Sequence, residues 1–232
     1  MIKKDNILFG FGTKSLGFGQ KHIVNILNHF STNKININRL IIPEQIHSTN
    51  IEVIEHRGVE KILKIEDTDG LITNEPGTVL AVVTADCCPI IYCDENKELI
   101  GISHQGWRGS IKKMVQKMIV KMIDMGSRVA DIKVVIGPCV GSCCYDIDED
   151  RYYSFMEEFD RYSKEIVQRV AGRWFLNLTK LNYLLLVEKG VKKENVDFFP
   201  FCTKCDSERF FSFRRDHDLS KGEMFSFIMK VK

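Results

Sequence analysis

Three short segments of this 232-residue chain carry side chains that could do chemistry together. PEQIHS holds His47, TADCCP holds Cys87 and Cys88, and SHQGWRGS holds His104. Each stands at the end of a strand-like run, where loops leave a sheet and sites form. Taken singly, each has a plain reading. A strand-end histidine is commonly a hydrogen-bonded structural residue, and a cysteine in an apolar run is a small buried hydrophobe. Together, two imidazoles and one thiolate make a three-ligand zinc set with the fourth tetrahedral position open, whereas structural zinc sites are closed by four ligands. The same residues also read as a Cys–His hydrolase, with Cys87 the nucleophile and His104 its base. A thiolate locked to zinc is a poor nucleophile, so the two readings exclude each other while metal is bound. The spacing between the segments is too long to be diagnostic by itself.

Strand geometry separates the adjacent cysteines. In an extended DCCPI, successive side chains point to opposite faces, so one cysteine at most shares a site with His47 and His104. Pro89 favours an extended Cys88, which joins the apolar run PIIYC, while Cys87 lies on the loop side next to Asp86. Cys87 is therefore the candidate ligand, and Cys88 is expected to pack. In HQGWRGS, Gly106 and Gly109 permit close backbone approach. A helix opening near Ser110 would present unpaired N–H groups beside Arg108, a ready anion site; an ordinary strand-to-helix turn with a solvated arginine reads equally well. Cys93, Cys139, Cys143, Cys144, Cys202 and Cys205 are read as packing. Cys202 and Cys205 have knuckle spacing, but no second Cys-x-x-Cys completes a zinc knuckle. RFFSFRRDHD, with Arg214, Arg215 and Asp216, reads as a salt-bridged strand with an apolar inner face, or as part of an anionic-substrate pocket.

The elements that must position these residues are mainly strands. Runs at 39–43, 51–56, 78–85, 89–94, 99–104 and 132–137 are rich in β-branched residues and bounded by turn signals. In SIKKMVQKMIVKMIDMG, Ile111, Met114, Val115, Met118, Met122 and Ile123 recur at helical spacing. Ser110 is the expected N-cap and Gly126 the residue past the end. Further helices are expected over DEDRYYSFMEEFDRYSKEIVQRV and over LTKLNYLLLVEKG, the latter ending at Gly190. FGFGTKSLGFG neither follows a strand nor opens a helix, as a dinucleotide fingerprint must, and reads as a loop. The expected fold is α/β of the α+β kind: a single domain over 1–232, with mixed β-sheets flanked by helices.

Composition excludes several classes. Hydrophobic content of 44% with 28% charged residues is that of a globular protein. A net charge of +2 lacks the basic stripe of a nucleic-acid binder. No apolar run is long enough to span a membrane, and no leader pattern opens the chain. A cytoplasmic location with reduced thiols is expected.

PEQIHS, DTDGLIT, TADCCPI, HQGWRGS, GPCVGSCCYDI, FCTKC and FFSFRRD, in this order, resemble the laccase-domain family of purine nucleoside phosphorylases. That family was formerly named multicopper polyphenol oxidase and has been grouped with cysteine hydrolases. The resemblance runs from about Gly10 to the C-terminus. It implies a cysteine-hydrolase-like architecture and a zinc enzyme. The implied reactions are phosphorolysis of adenosine, inosine, guanosine and 5′-methylthioadenosine, and deamination of adenosine. The implied metal ligands fall on His47, Cys87 and His104. Asp86 and Arg108 are the candidate catalytic residues; Lys14, Gln45, Arg108, Arg214 and Arg215 are the candidate substrate and phosphate contacts. The expected partners are purine nucleosides and phosphate, with no nucleic acid or membrane. Two positions depart from the family pattern. Lys14 replaces an arginine and loses its bidentate fork, and KGEM, with Glu223, stands where the family tends to have T-G-R. Copper-dependent phenol oxidation is the lesser alternative, because six histidines without a His-x-His pair do not supply a multicopper cluster.

Overall fold

The computed structural model describes residues 2–4, 6–16, 22–55, 60–218 and 222–231. Two six-stranded sheets dominate it. In spatial order the first contains β1 (Ile2–Lys4), β2 (Ile7–Phe11), β15 (Met224–Lys230), β7 (Thr78–Thr84), β3 (Arg39–Pro43) and β5 (Ile62–Ile65). The second contains β14 (Val196–Phe198), β10 (Lys133–Ile136), β8 (Cys88–Asp94), β9 (Leu99–Gln105), β6 (Gly70–Thr73) and β4 (Ile51–Ile54). Both mix parallel pairs, such as β3 with β7 and β4 with β6, with antiparallel ones. A small third sheet joins β11 (Asp146–Ile147), β13 (Arg173–Leu176) and β12 (Val167–Val170).

Alternation along the strands explains the layering. On β7, Leu80 and Val82 enter a cluster shared with Ile91, Ile100 and Ile102 of the second sheet. Val79 and Ala81 point the other way, onto Ile26 and Phe30 of α1 (His22–Thr32). On β8, Ile91 faces the first sheet while Ile90 and Tyr92 meet the helices on the far side. These are α2 (Trp107–Ile111), α3 (Met114–Asp124), α4 (Glu149–Phe159), α5 (Ser163–Ile166) and α6 (Leu178–Glu188). Strands buried on both faces read as unbroken apolar runs, which is why these core strands stand out in the sequence. The fold is the expected mixed α/β one, with mixed sheets flanked by helices.

Several expected elements differ. The helix expected from Ser110 to Gly126 is two helices, broken at Lys113, which takes a left-handed φ of 58°. Ser110 is no N-cap; it is buried inside α2 and accepts a 3.0 Å hydrogen bond from Asn182 of α6. Within α3 the buried face is Met114, Val115, Met118, Ile119 and Met122, and Ile123 is 39% exposed. The long helix expected over 148–170 ends at Phe159 and becomes a 3₁₀ turn, α5 and then β12. Val167–Val170 pairs with Arg173–Leu176 around Ala171 and Gly172, both at positive φ. β-branched residues beside a tight turn thus override the helical pattern. FRRD is no strand but α7 (Phe213–Asp216), a single turn capped by Ser212. FGFGTKSLGFG begins inside β2, not wholly in a loop. Its Gly17–Gly19, like His56 at the end of the expected strand 51–56, lies outside the described residues.

Candidate metal centre

Strand ends gather the three candidate ligands. Pro89 of β8 pairs with His104 of β9, so Cys87, one residue before β8, comes beside the end of β9. His47 arrives on the loop after β3, with a left-handed φ of 59°. The donor atoms of His47, Cys87 and His104 lie within 4.8 Å of one another. Cys87 Sγ is 3.8 Å from His47 Nε2, and the imidazole centroids are 4.7 Å apart at 82°. A zinc ion held at about 2.0–2.3 Å by nitrogen and sulfur separates such donors by roughly 3.5 Å, so these side chains fit the ion with small adjustments. Cys88, by contrast, is fully buried in the helix-side core.

Asp69, just before β6, organises the set. Its buried carboxylate accepts 2.7 Å hydrogen bonds from His104 Nδ1 and Ser48 Oγ, and others from the backbone N–H groups of Ile46, His47 and Ser48. One carboxylate therefore fixes the loop that carries His47. It also holds the His104 proton on Nδ1, leaving Nε2 as the free nitrogen. Burial would raise the Asp69 pKa, but the bonds from His104 and Ser48 outweigh it and hold the carboxyl below its usual range. Burial likewise works against a Cys87 thiolate, yet the His104 charge and hydrogen bonds from both imidazoles bring that pKa down to about 6. His104 is raised in turn to about 10: burial opposes its charge, and Cys87 and Asp69 overcome it. Gly106 completes the cradle, because a Cβ there would lie 2.6 Å from His47 Cδ2 and 3.2 Å from Cys87 Sγ.

The set opens on a pocket of about 300 Å³. Trp107, Tyr145 and Phe213 form part of its wall, with Arg108, Arg151 and Arg214 among them. The guanidinium groups of Arg108 and Arg151 both lie 4.6 Å from the Trp107 ring centroid. Arg151 Nε is buried with no hydrogen-bond partner among the described residues. Arg214 lies 4.7 Å from the Tyr145 ring and donates to the Asp146 carbonyl at 2.8 Å. Asp86 also lines the pocket, at the strained φ of 89°. Its carboxylate accepts 2.6 Å bonds from Thr203 Oγ1 and the Arg214 backbone N–H, which hold that conformation.

Other candidates lie away from the pocket. Lys14 donates to the Ser207 carbonyl at 2.7 Å. Arg215 donates to the carbonyls of Thr203, Lys204 and Phe210, stapling a loop. Gln45 exchanges two 2.8 Å hydrogen bonds with the Val83 backbone. Cys143 and Cys205 are exposed, so packing does not describe them; they cluster with Cys144 and Cys202. Sequence reasoning missed Asp69 as an organiser and Arg151 as a pocket residue. An aspartate between Thr and Gly before a strand was the signal for Asp69, whereas Arg151 sits among acidic residues and looks solvated.

A family model described as multi-copper polyphenol oxidoreductase laccase matches residues 20–231. The chain is 31% identical over 195 residues to "Purine nucleoside phosphorylase YlmD" of Bacillus subtilis, spanning 81% of this chain and 69% of that protein. It is 28% identical over 202 residues to "Adenosine deaminase RL5" from an unknown prokaryotic organism, spanning 84% and 77% respectively. The crystal structure titled as Bacillus licheniformis hypothetical protein YfiH superposes with a TM-score of 0.87 at 30% identity, covering 97% of this chain and 93% of the other.

Proposed function

Because the chain belongs to the multi-copper polyphenol oxidoreductase laccase family, we propose that it is a zinc enzyme of purine nucleosides. It carries out phosphorolysis and, in the same pocket, adenosine deamination. Adenosine, inosine, guanosine and 5′-methylthioadenosine are its substrate set. The observation that carries this reading is the His47–Cys87–His104 donor set opening onto a pocket with three guanidinium groups. Relatives named for both reactions support it.

Held by His47, Cys87 and His104, a zinc ion would supply Lewis acidity to the pocket. The remaining work belongs to the chain. Asp69 keeps His104 in one tautomer and orientation. Trp107, Tyr145 and Phe213 offer faces for the purine; base–aromatic stacking contributes about 1–3 kcal/mol per base. Arg108, Arg151 and Arg214 hold phosphate oxygens toward C1′, where the C1′–O bond forms as C1′–N9 breaks and the purine leaves with the electron pair. Arg108 supplies one of these cations, and Arg151 joins it because its buried Nε has no hydrogen-bond partner among the described residues. Asp86 moves a proton for deamination, and its orientation is set by Thr203 and Arg214. Lys14, Gln45 and Arg215 then act by holding the surrounding loops. The thiols call for a reducing compartment, the cytoplasm in our reading, and no helix among the described residues is long and apolar enough to cross a membrane.

One observation favours a second reading. Without metal, Cys87 is held toward the thiolate beside His104, the arrangement of a Cys–His hydrolase. Chelation separates the two. The zinc reading predicts that activity disappears with the metal and returns on zinc addition. Activity that survives complete metal removal and is killed by thiol alkylation would establish the hydrolase instead.

A further inference from the structure

Away from the His–Cys–His set, the fold brings four more thiols together. Cys143 and Cys144 lie in the turn before β11, and Cys202 and Cys205 lie in the segment after β14. Their sulfurs all fall within 4.8 Å of one another. Cys205 Sγ is 3.6 Å from Cys143 and 3.2 Å from Cys144. Four sulfurs about 2.3 Å from a common tetrahedral centre stand roughly 3.8 Å apart, so this is the spacing of a metal tetrathiolate. Hydrophobic packing does not account for it, because Cys143 and Cys205 are exposed.

The surrounding backbone is arranged for the same end. The backbones of Cys139 and Cys202 form an isolated parallel β-bridge, and Thr203 N–H donates to the Cys139 carbonyl at 3.1 Å, clamping the two segments side by side. Gly141 N–H points at Cys202 Sγ from 3.2 Å, a contact that supports a thiolate. The Gly141 carbonyl accepts from the N–H groups of Cys144 and Tyr145 at 2.9 Å, curling the turn that presents both adjacent cysteines. A Cβ on residue 141 would lie 3.2 Å from Cys202 Cβ and 3.3 Å from Cys143 Sγ, so only glycine lets the segments close this far without displacement.

We propose that Cys143, Cys144, Cys202 and Cys205 form a second, closed metal centre that takes zinc as a tetrathiolate. Binding converts four thiols to thiolates and releases four protons, leaving the centre with a charge of 2−. With every position filled by sulfur it has no place for substrate and does no chemistry of its own. Its role is to staple the pocket wall. Val140 and Tyr145, which line the pocket, sit in one clamped segment. Thr203, which holds the Asp86 carboxylate, sits in the other.

Metal stoichiometry of protein purified with zinc under reducing conditions tests this directly. Native mass spectrometry should find two zinc ions in the wild-type chain. One should remain in Cys202→Ser/Cys205→Ser and one in Cys87→Ala/His104→Ala. X-ray absorption on the Cys87→Ala/His104→Ala protein should show four sulfurs at about 2.3 Å. No zinc in Cys87→Ala/His104→Ala, or mixed nitrogen and sulfur ligation of the ion it retains, would overturn the second centre; a single wild-type zinc that this variant retains would instead count against the His47–Cys87–His104 site. That variant leaves the four cysteines untouched, so it decides the matter even if the cysteine pair proves necessary for folding.

Discussion

Asp69 and Cys87 show how much of the site is set by neighbours rather than by the ligands themselves. Asp69 fixes both His104 and the loop bearing His47. Asp69→Asn keeps the shape but offers an amide where an acceptor is needed. Zinc affinity, measured against a competing chelator, should fall about 10–100-fold; unchanged affinity would remove Asp69 from this role. For metal-free Cys87, the folded pKa of about 6 lies below the ordinary 9.0, so unfolding takes up a proton between these values. Its contribution to stability is therefore present above about 9 and lost as pH falls through about 6. Alkylation of Cys87 in metal-free protein should accordingly proceed readily at neutral pH, slow as pH drops through about 6, and be suppressed by zinc. Reactivity that appears only near pH 9.0 would contradict the paired state. Period-two alternation was enough to send Cys87 and Cys88 to opposite faces. Asp69 was not legible in that way, because its importance comes from five hydrogen bonds that converge only in the fold.

Among the elements, the β8–β9 hairpin and the turn into α2 carry the centre. Gly106→Ala would push a methyl against His47 and Cys87, so metal should be lost while the sheets, read by circular dichroism, remain. Full zinc occupancy would show that the cradle is looser than its spacing implies. Behind the hairpin, Met118 of α3 is fully buried, and a Cβ on Gly101 would come 3.1 Å from its Cε. Met118→Ala should cost about 2–5 kcal/mol in denaturant unfolding, with zinc stoichiometry unchanged. Core strands were readable because both of their faces are buried. The break at Lys113 and the strand Val167–Val170 were not: Lys113 meets Glu158 and Phe159 of α4 only in the fold, and Val167–Val170 is fixed by its pairing with Arg173–Leu176.

At the scale of the molecule, two back-to-back sheets with helices outside bring the ends of β3 and β9 and the starts of β8 and β6 to one edge. Four segments distant in the chain thereby become one site. Spacing alone did not reveal this gathering; the ordered motifs and their family resemblance did, and the fold supplies the physical reason. Arg151 reached the pocket only because α4 packs beside Trp107. The most direct test incubates zinc-loaded protein with adenosine, with and without phosphate, and separates the products by chromatography. The account predicts adenine and ribose 1-phosphate only when phosphate is present, inosine in its absence, and none of these after zinc removal. Zinc-loaded protein that leaves adenosine intact, or cleaves it equally well after chelation, would contradict it.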